Sequence, residues 1–169
     1  MADGIISVAP GPSVGVFVAD CLPVLLWDDT GRAVGAVHAG WRGLAAGVLQ
    51  AAVDSFDGIG VAPGSLRAAV GPHIGPCCYR VGPELRPLFR TGSFSTGSFS
   101  ESGGLRLDLG AEARSRLIEA GVSAGCVAVS EDCTACREED FFSFRRDKIR
   151  RSMLALIAPV GTRPGGMRA

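Results

Sequence analysis

Short apolar runs separated by turn-forming residues dominate the first seventy positions of the chain. Four such runs are rich in Val, Ile and Leu and are bounded by Gly-Pro or Asp-Thr-Gly segments, which predicts buried β-strands. They lie at 5–8, 14–18, 22–27 and 33–38, and further strands are predicted at 66–70, near 126–129 and at 153–157.

Helical periodicity follows the first strands. Apolar residues recur at helical spacing from Leu44 to Phe56, which predicts one helix packed on the sheet and ended by Asp57-Gly58. Asp108 is predicted to cap a second helix that is closed by Gly121, and a short helix is predicted at 83–89. The order of elements indicates an α/β (α+β) fold with mixed β-sheets flanked by helices, in a single layered domain over 1–169.

A tandem pentad, Thr-Gly-Ser-Phe-Ser, begins at Thr91 and again at Thr96. Two copies are too few for a repeat fold. The sequence therefore predicts a mobile surface insertion over 91–104.

The charge balance of the chain argues against some classes of binding partner. The chain is 47% hydrophobic and 20% charged, as in ordinary globular domains, and its 17 basic and 17 acidic residues cancel. No global field favours nucleic acid or an anionic membrane, so neither is an expected partner. Asp3 stands where a signal peptide carries basic residues, and Asp20 interrupts the longest apolar run. We expect a cytoplasmic protein whose six cysteines are reduced thiols.

Cys21 and His38 form the strongest candidate site. Cys21 precedes the run at 22–27 and His38 ends the run at 33–38, near the strand ends where α/β sites usually lie. A thiolate and an imidazole there can share a Zn²⁺ ion or act as a nucleophile and base pair. The alternative is a buried cysteine beside a hydrogen-bonded histidine, without a chemical role.

Three arginines are candidates for anion binding. Arg42 lies near the predicted start of the helix at 44–56, where a guanidinium and free N–H groups can hold an anion, unless it is simply solvated. Arg145 and Arg146 follow the aromatic run at 141–144. That segment predicts a strand edge with an anion-binding arginine pair, or a core strand with a solvated basic end.

The remaining cysteines argue less strongly for a metal. A structural zinc held by Cys133 and Cys136 needs a second pair, and Cys77 and Cys78 are adjacent in the chain. Adjacent residues are not expected to grip one tetrahedral ion easily. Buried or loop thiols are therefore the expectation.

Four motifs occur in a characteristic order. They are Ala-Asp-Cys-Leu-Pro-Val at 19–24, Ala-Val-His-Ala-Gly-Trp-Arg-Gly at 36–43, Gly-Pro-His-Ile-Gly-Pro-Cys-Cys-Tyr at 71–79 and Phe-Phe-Ser-Phe-Arg-Arg-Asp at 141–147. Together they resemble the laccase-domain family, also called the peptidoglycan editing factor family. Its members are described as multicopper polyphenol oxidases and as zinc-dependent purine nucleoside phosphorylases with adenosine deaminase and methylthioadenosine phosphorylase activity.

The resemblance implies a zinc ion held by one cysteine and two histidines, of which Cys21 and His38 match two. The other histidine belongs to a Gln-Val-His-Gly motif in an N-terminal segment that this sequence does not match, so an N-terminally short chain is expected. His73 or a thiol of Cys77 or Cys78 would then have to replace it. We assign catalytic roles to Cys21, His38 and Arg42, and substrate-binding roles to Asp20, His73, Arg145 and Arg146.

The resemblance implies zinc-dependent phosphorolysis of adenosine, inosine or methylthioadenosine, together with adenosine deamination. The expected partners are a purine nucleoside and phosphate. The family label also allows copper, but two histidines cannot supply a multicopper cluster. The alternatives are a Cys–His nucleophilic hydrolase and a truncated, non-catalytic binding domain. A short chain would expose apolar sheet surface, which a homodimer could cover.

Overall fold

A five-stranded sheet forms the centre of the structure, a computed structural model that describes residues 3–96 and 104–160. The elements in chain order are β1 (Gly4–Val8), β2 (Val14–Val18), β3 (Leu22–Asp28), β4 (Ala33–Ala39), α1 (Trp41–Ala45), α2 (Val48–Asp57), β5 (Leu66–Val70), β6 (Arg80–Val81), β7 (Phe94–Thr96), β8 (Leu105–Leu107), α3 (Leu109–Glu119), β9 (Val127–Val129), α4 (Phe144–Asp147) and β10 (Met153–Ile157).

The central sheet has the strand order β1, β4, β3, β5, β9. Its pairs are antiparallel except for β5 and β9, which run parallel. A two-stranded ribbon of β10 and β2 and a three-stranded sheet of β6, β8 and β7 complete the β-structure of the described residues. The predicted mixed sheets flanked by helices are thus confirmed.

Strands β3 and β4 are apolar on both faces because both faces are covered. On one face Leu49, Val53 and Phe56 of α2 enter the main core. On the other face Val14 of β2 packs with Val34 of β4 in a smaller core. Continuous apolar runs, instead of alternating ones, are the expected pattern for strands buried in this way.

The predicted helix from Leu44 to Phe56 is two helices, α1 and α2. The chain breaks at Gly47, whose φ of 83° lies in the left-handed region that an α-helix cannot contain. The spacing of Leu44 and Leu49 fits either description, because both side chains are buried against the same core. The Asp108 cap of α3 is confirmed: its Oδ1 accepts a hydrogen bond from the Ala111 amide at 2.8 Å.

The predicted short helix at 83–89 is confirmed: residues 83–88 form a 3₁₀ helix with Pro87 inside it, and proline cannot donate the hydrogen bond that a longer α-helix needs. One local prediction was wrong. The segment around Arg145 is the short helix α4, not a strand. Ser143 caps α4 by accepting a hydrogen bond from the Arg146 amide at 3.2 Å, a local signal that the aromatic run obscured.

The first copy of the tandem pentad belongs to the fold. Ser93 is buried and donates a hydrogen bond of 2.6 Å to the buried carboxylate of Glu112, while Phe94 packs edge-on against Phe89. The rest of the predicted insertion, at 97–103, lies outside the described residues.

The outer face of the β10 and β2 ribbon is apolar. Leu154 pairs with Phe17 across the ribbon, and these two side chains and Leu156 are more than half exposed. Exposed apolar patches often mark interaction surfaces. The homodimer that was expected from the sequence stays a prediction. Among residues 3–96 and 104–160, no helix has the length and apolar character needed to cross a bilayer.

Asp20 connects the loop after β2 to three other segments. Its buried carboxylate accepts hydrogen bonds from Thr134 Oγ1 at 2.7 Å and from the Arg145 amide at 2.6 Å, and its carbonyl accepts one from the Ile74 amide at 3.0 Å. Its φ of 81° is a conformation that aspartate tolerates better than most residues.

We expect Asp20→Ala to lower the free energy of unfolding by about 2–4 kcal/mol, because it leaves two donors without an acceptor. Urea denaturation measures the change. Asp20→Asn is the matched control: it tolerates the same φ and keeps one acceptor, so it should recover at least half of the loss. An alanine variant as stable as the wild-type chain would contradict this role.

Candidate active site

Cys21 and His38 meet at one end of the central sheet. Leu22 of β3 pairs with Ala39 of β4, so Cys21 precedes one strand where Gly40 follows the other. A Cβ atom placed on Gly40 would lie 3.1 Å from Cys21 Sγ and 3.9 Å from His38 Cε1. Both side chains therefore border the same small space, which exists because residue 40 is glycine.

The environment of Cys21 disfavours a free thiolate. Burial, and secondarily the negative charge of Asp20, raise the pKa of the Cys21 thiol. An unassisted nucleophilic cysteine needs the opposite shift. A nearby cation would reverse the balance, because it stabilises the thiolate directly.

His38 is oriented by a carboxylate that the sequence did not reveal. Asp3 Oδ1 lies 3.4 Å from His38 Nδ1, and the Asp3 carbonyl accepts a hydrogen bond of 2.7 Å from the His38 amide. A proton on Nδ1 that points to Asp3 leaves Nε2 free to bind a metal, an arrangement common among histidine ligands. Only the pairing of β1 with β4 brings Asp3 here, which no local motif could signal.

Tyr79 joins this end of the sheet. Burial raises the pKa of the Tyr79 hydroxyl, and the charges of Arg145 and Arg42 oppose that rise. The guanidinium carbon of Arg145 lies 5.0 Å from the centre of the Tyr79 ring. Cys21 also acts on this pKa and raises it. The Tyr79 hydroxyl thus lies within range of the charges of Arg145, Arg42 and Cys21. Tyr79 ends the motif at 71–79, but the sequence alone assigned it no role in the site.

The three predicted arginines differ in what they contact. Arg42 is exposed, and its guanidinium stacks over the Trp41 ring at 4.4 Å. Arg145 is also exposed, and its Nη1 donates a hydrogen bond to the Arg80 carbonyl at 2.9 Å. Both present positive charge at the surface, and both charges act on the Tyr79 hydroxyl.

Arg146 is engaged within the protein. Its Nε and Nη2 donate to the Asp147 carboxylate at 2.6 and 2.9 Å, and its Nη1 donates to the Thr134 carbonyl at 3.0 Å. Nη2 also reaches the Phe141 carbonyl at 3.0 Å. The geometry favours a structural role over the predicted substrate contact. The Asp20 carboxylate is likewise hydrogen-bonded within the protein, to Thr134 and to the Arg145 amide.

His73 lies in a different cavity, of about 370 Å³, whose lining includes neither Cys21 nor His38. Its Nδ1 is 2.9 Å from the Gly71 carbonyl, and its Nε2 is 2.7 Å from the position a Cβ on Gly110 would take. Burial lowers the pKa of the imidazole, although the Gly71 carbonyl and Asp108 oppose this. In this arrangement His73 does not complete the Cys21 and His38 pair.

Four thiols converge where the sequence argument expected separate ones. The Sγ atoms of Cys77, Cys78, Cys133 and Cys136 all lie within 4.8 Å of one another. Cys77 and Cys78 are adjacent but lie in a tight turn, closed by the Tyr79 amide on the Gly75 carbonyl at 2.9 Å, which brings both thiols to the cluster. Both of their Sγ atoms reach Cys136 Sγ, at 3.5 and 3.3 Å.

The thiols of this cluster differ in acidity. Burial acts to raise the pKa of Cys133, but hydrogen bonds from Gly75 and other backbone amides outweigh it and lower that pKa to about 7. Burial and the hydrogen bonds to Cys133 and Cys136 raise the pKa of Cys77 to about 11. Cys133 is therefore the more readily ionised of these two thiols.

Comparison with characterised proteins gives consistent relatives. The chain is 40% identical to purine nucleoside phosphorylase YfiH of Escherichia coli (strain K12) over 158 residues, which cover 92% of this chain and 63% of that protein. It is 38% identical to purine nucleoside phosphorylase YlmD of Geobacillus stearothermophilus, covering 92% and 59%. It is 33% identical to adenosine deaminase RL5 of an unknown prokaryotic organism, covering 85% and 56%.

Solved structures agree on the fold. The crystal structure of the Bacillus licheniformis hypothetical protein YfiH superposes with a TM-score of 0.83 at 34% identity, covering 92% of this chain and 60% of that chain. YlmD from Geobacillus stearothermophilus gives 0.82 at 36% identity, covering 94% and 61%. The chain thus spans about three-fifths of the length of these relatives.

The family resemblance inferred from the four motifs is confirmed at the level of the whole sequence. The profile described as multi-copper polyphenol oxidoreductase laccase matches residues 1–159. The chain belongs to the multi-copper polyphenol oxidoreductase laccase family.

Proposed function

We propose that this chain acts on purine nucleosides at the site formed by Cys21 and His38, cleaving the glycosidic bond with phosphate and deaminating adenosine. The observation that carries the proposal is the meeting of Cys21 and His38 over Gly40, with Arg42, Arg145 and Tyr79 in the same neighbourhood. The names of the relatives, purine nucleoside phosphorylase and adenosine deaminase, support this class of reaction.

The donor set fits a zinc ion. Cysteine and histidine are preferred Zn²⁺ ligands, and the Asp3 contact orients His38 as carboxylates orient many metal-bound histidines. Cys21 Sγ and His38 Nε2 would supply two ligands. A zinc ion there would supply positive charge that stabilises negative charge on the substrate. A multicopper cluster does not fit, because the chain contains two histidines in all.

The reaction requires that a phosphate oxygen bond to C1′ of the ribose while the bond from C1′ to the purine nitrogen breaks. The purine leaves with the electron pair and takes up a proton. In our proposal Arg42 and Arg145 donate hydrogen bonds to the phosphate, because both guanidinium groups are exposed and their charges reach the Tyr79 hydroxyl. Tyr79 stays protonated at neutral pH, since burial raises its pKa, so its hydroxyl can donate a hydrogen bond.

A Cys–His hydrolase is less well supported. Its cysteine must ionise readily beside the histidine. Burial and Asp20 act in the opposite direction on Cys21. A non-catalytic binding domain would keep the nucleoside contacts without turnover, and the experiment below distinguishes it.

We expect the zinc-loaded chain to convert adenosine and phosphate to adenine and ribose 1-phosphate, with inosine as a second product, as measured by liquid chromatography. Cys21→Ser and His38→Ala should each lower kcat/KM by about 100-fold or more, since either change removes a ligand and its charge stabilisation. Cys126→Ser, a half-buried cysteine outside the site, is the control and should keep the activity. Zinc-loaded protein that yields neither product would contradict the proposal.

We expect substitutions of the two neighbouring arginines to have different effects, one on phosphate binding and the other on stability. We expect Arg145→Ala to raise KM for phosphate by about 10- to 100-fold, the usual effect of losing a charge-assisted hydrogen bond. Arg146→Ala should lower the melting temperature more than Arg145→Ala does, because it removes contacts to Asp147, Thr134 and Phe141. Steady-state kinetics and thermal unfolding measure the two effects. The reverse assignment of effects would contradict the proposed roles.

A further inference from the structure

We propose that Cys77, Cys78, Cys133 and Cys136 form a second, structural metal site that binds one Zn²⁺ ion through four thiolates. All four Sγ atoms lie within 4.8 Å of one another. A zinc ion with four bonds to sulfur of about 2.3 Å places its sulfurs about 3.8 Å apart. The chain thus brings the sulfurs close to this spacing. The inference does not depend on the proposed function, since it uses other residues.

The surrounding backbone holds two loops in place for this site. An isolated β-bridge joins His73 to Cys133, with the Thr134 amide donating to the His73 carbonyl at 3.0 Å. The Gly75 amide donates to Cys133 Sγ at 3.2 Å, a contact that stabilises a thiolate. The turn within the second loop is closed by the Cys136 amide on the Cys133 carbonyl at 3.1 Å. A folded, fixed ligand set is what a structural site needs.

Gly75 makes room for the cluster. A Cβ atom at that position would lie 3.3 Å from Cys77 Sγ and 3.3 Å from Cys133 Cβ. These contacts are tight, so a side chain here would displace two of the four ligands. The loop therefore needs glycine at 75 for close approach, not for an unusual backbone angle.

A single ion accounts for the geometry better than disulfides or an iron–sulfur cluster. A disulfide joins two sulfurs, and Cys136 is almost equally close to Cys77 and Cys78, at 3.5 and 3.3 Å. The distances thus select no pair. A four-iron cluster distributes its thiolates over separate irons, whereas these four sulfurs lie within 4.8 Å of one another.

The positive charge of Arg106 lies beside the proposed zinc site. Four thiolates and one Zn²⁺ carry a net charge of −2, which favours a nearby cation. Arg106 Nη1 donates to the Pro76 carbonyl at 3.1 Å and also contacts the Cys77 carbonyl. Its guanidinium therefore lies beside the loop that supplies two of the ligands.

The metal would fix the position of active-site residues from outside the active site. Cys77 and Cys78 immediately precede Tyr79, and Cys133 precedes Thr134, which donates to Asp20 at 2.7 Å. A zinc ion joining the two loops would stabilise both against local opening. In this proposal the four cysteines are structural ligands and not catalytic residues.

Metal content and native mass spectrometry test the site. We expect the double variant Cys21→Ser/His38→Ala to retain about one zinc ion per chain, because the four-cysteine site is intact. Cys133→Ser/Cys136→Ser in that background should lose it, and Cys126→Ser should not. In the Cys21→Ser/His38→Ala background, a chelator should lower the melting temperature of the chain that keeps the four-cysteine site. It should leave the melting temperature of the chain with the added Cys133→Ser/Cys136→Ser changes unchanged.

Cobalt substitution keeps the test valid if the cysteine variants do not fold. The Cys21→Ser/His38→Ala chain loaded with Co²⁺ should show sulfur-to-cobalt charge transfer and the intense visible bands of tetrahedral thiolate coordination. A mass lower by two hydrogens per disulfide with no bound metal would overturn the proposal. So would a metal-free reduced chain after incubation with zinc, or a cobalt spectrum without thiolate bands.

Discussion

The buried carboxylate of Asp20 is the constraint on which the candidate site depends. Asp20 directly precedes Cys21, and its contacts reach the loop at 71–79 through Ile74, the loop before α4 through Thr134, and α4 through the Arg145 amide. One residue thus sets the relative positions of the chain segments that carry Cys21, Tyr79 and Arg145. A buried carboxylate that accepts two hydrogen bonds is costly to disrupt, which explains how these loops keep one arrangement.

The described residues include two groups of cysteines, and we propose a different role for each. Cys21 borders the small space over Gly40 together with His38, where we propose that substrate binds. Cys77, Cys78, Cys133 and Cys136 lie within 4.8 Å of one another, where we propose a structural ion. Both sites connect to the loop at 71–79, one through Tyr79 and the other through Cys77 and Cys78.

The sequence predicted what depends on local pattern. The apolar runs located the strands of the central sheet, and the ends of β3 and β4 located Cys21 beside His38. What it missed depends on contacts between distant segments. Asp3 reaches His38 only through strand pairing, and the four thiols meet only because a β-bridge joins His73 to Cys133. Arg145 and Arg146 are adjacent and identical in type, and only their contacts separate an exposed cation from a structural one.

We propose that nucleoside and phosphate bind at Cys21, His38, Tyr79 and Arg145. Nuclear magnetic resonance of the isotope-labelled, zinc-loaded chain, titrated with adenosine and phosphate, tests this directly and does not require turnover. We expect the largest amide shift changes at these residues and at Arg42, while α2 and the outer face of the β10 and β2 ribbon stay unchanged. Shift changes confined to the His73 cavity or to the ribbon, or no change at saturating ligand, would contradict it.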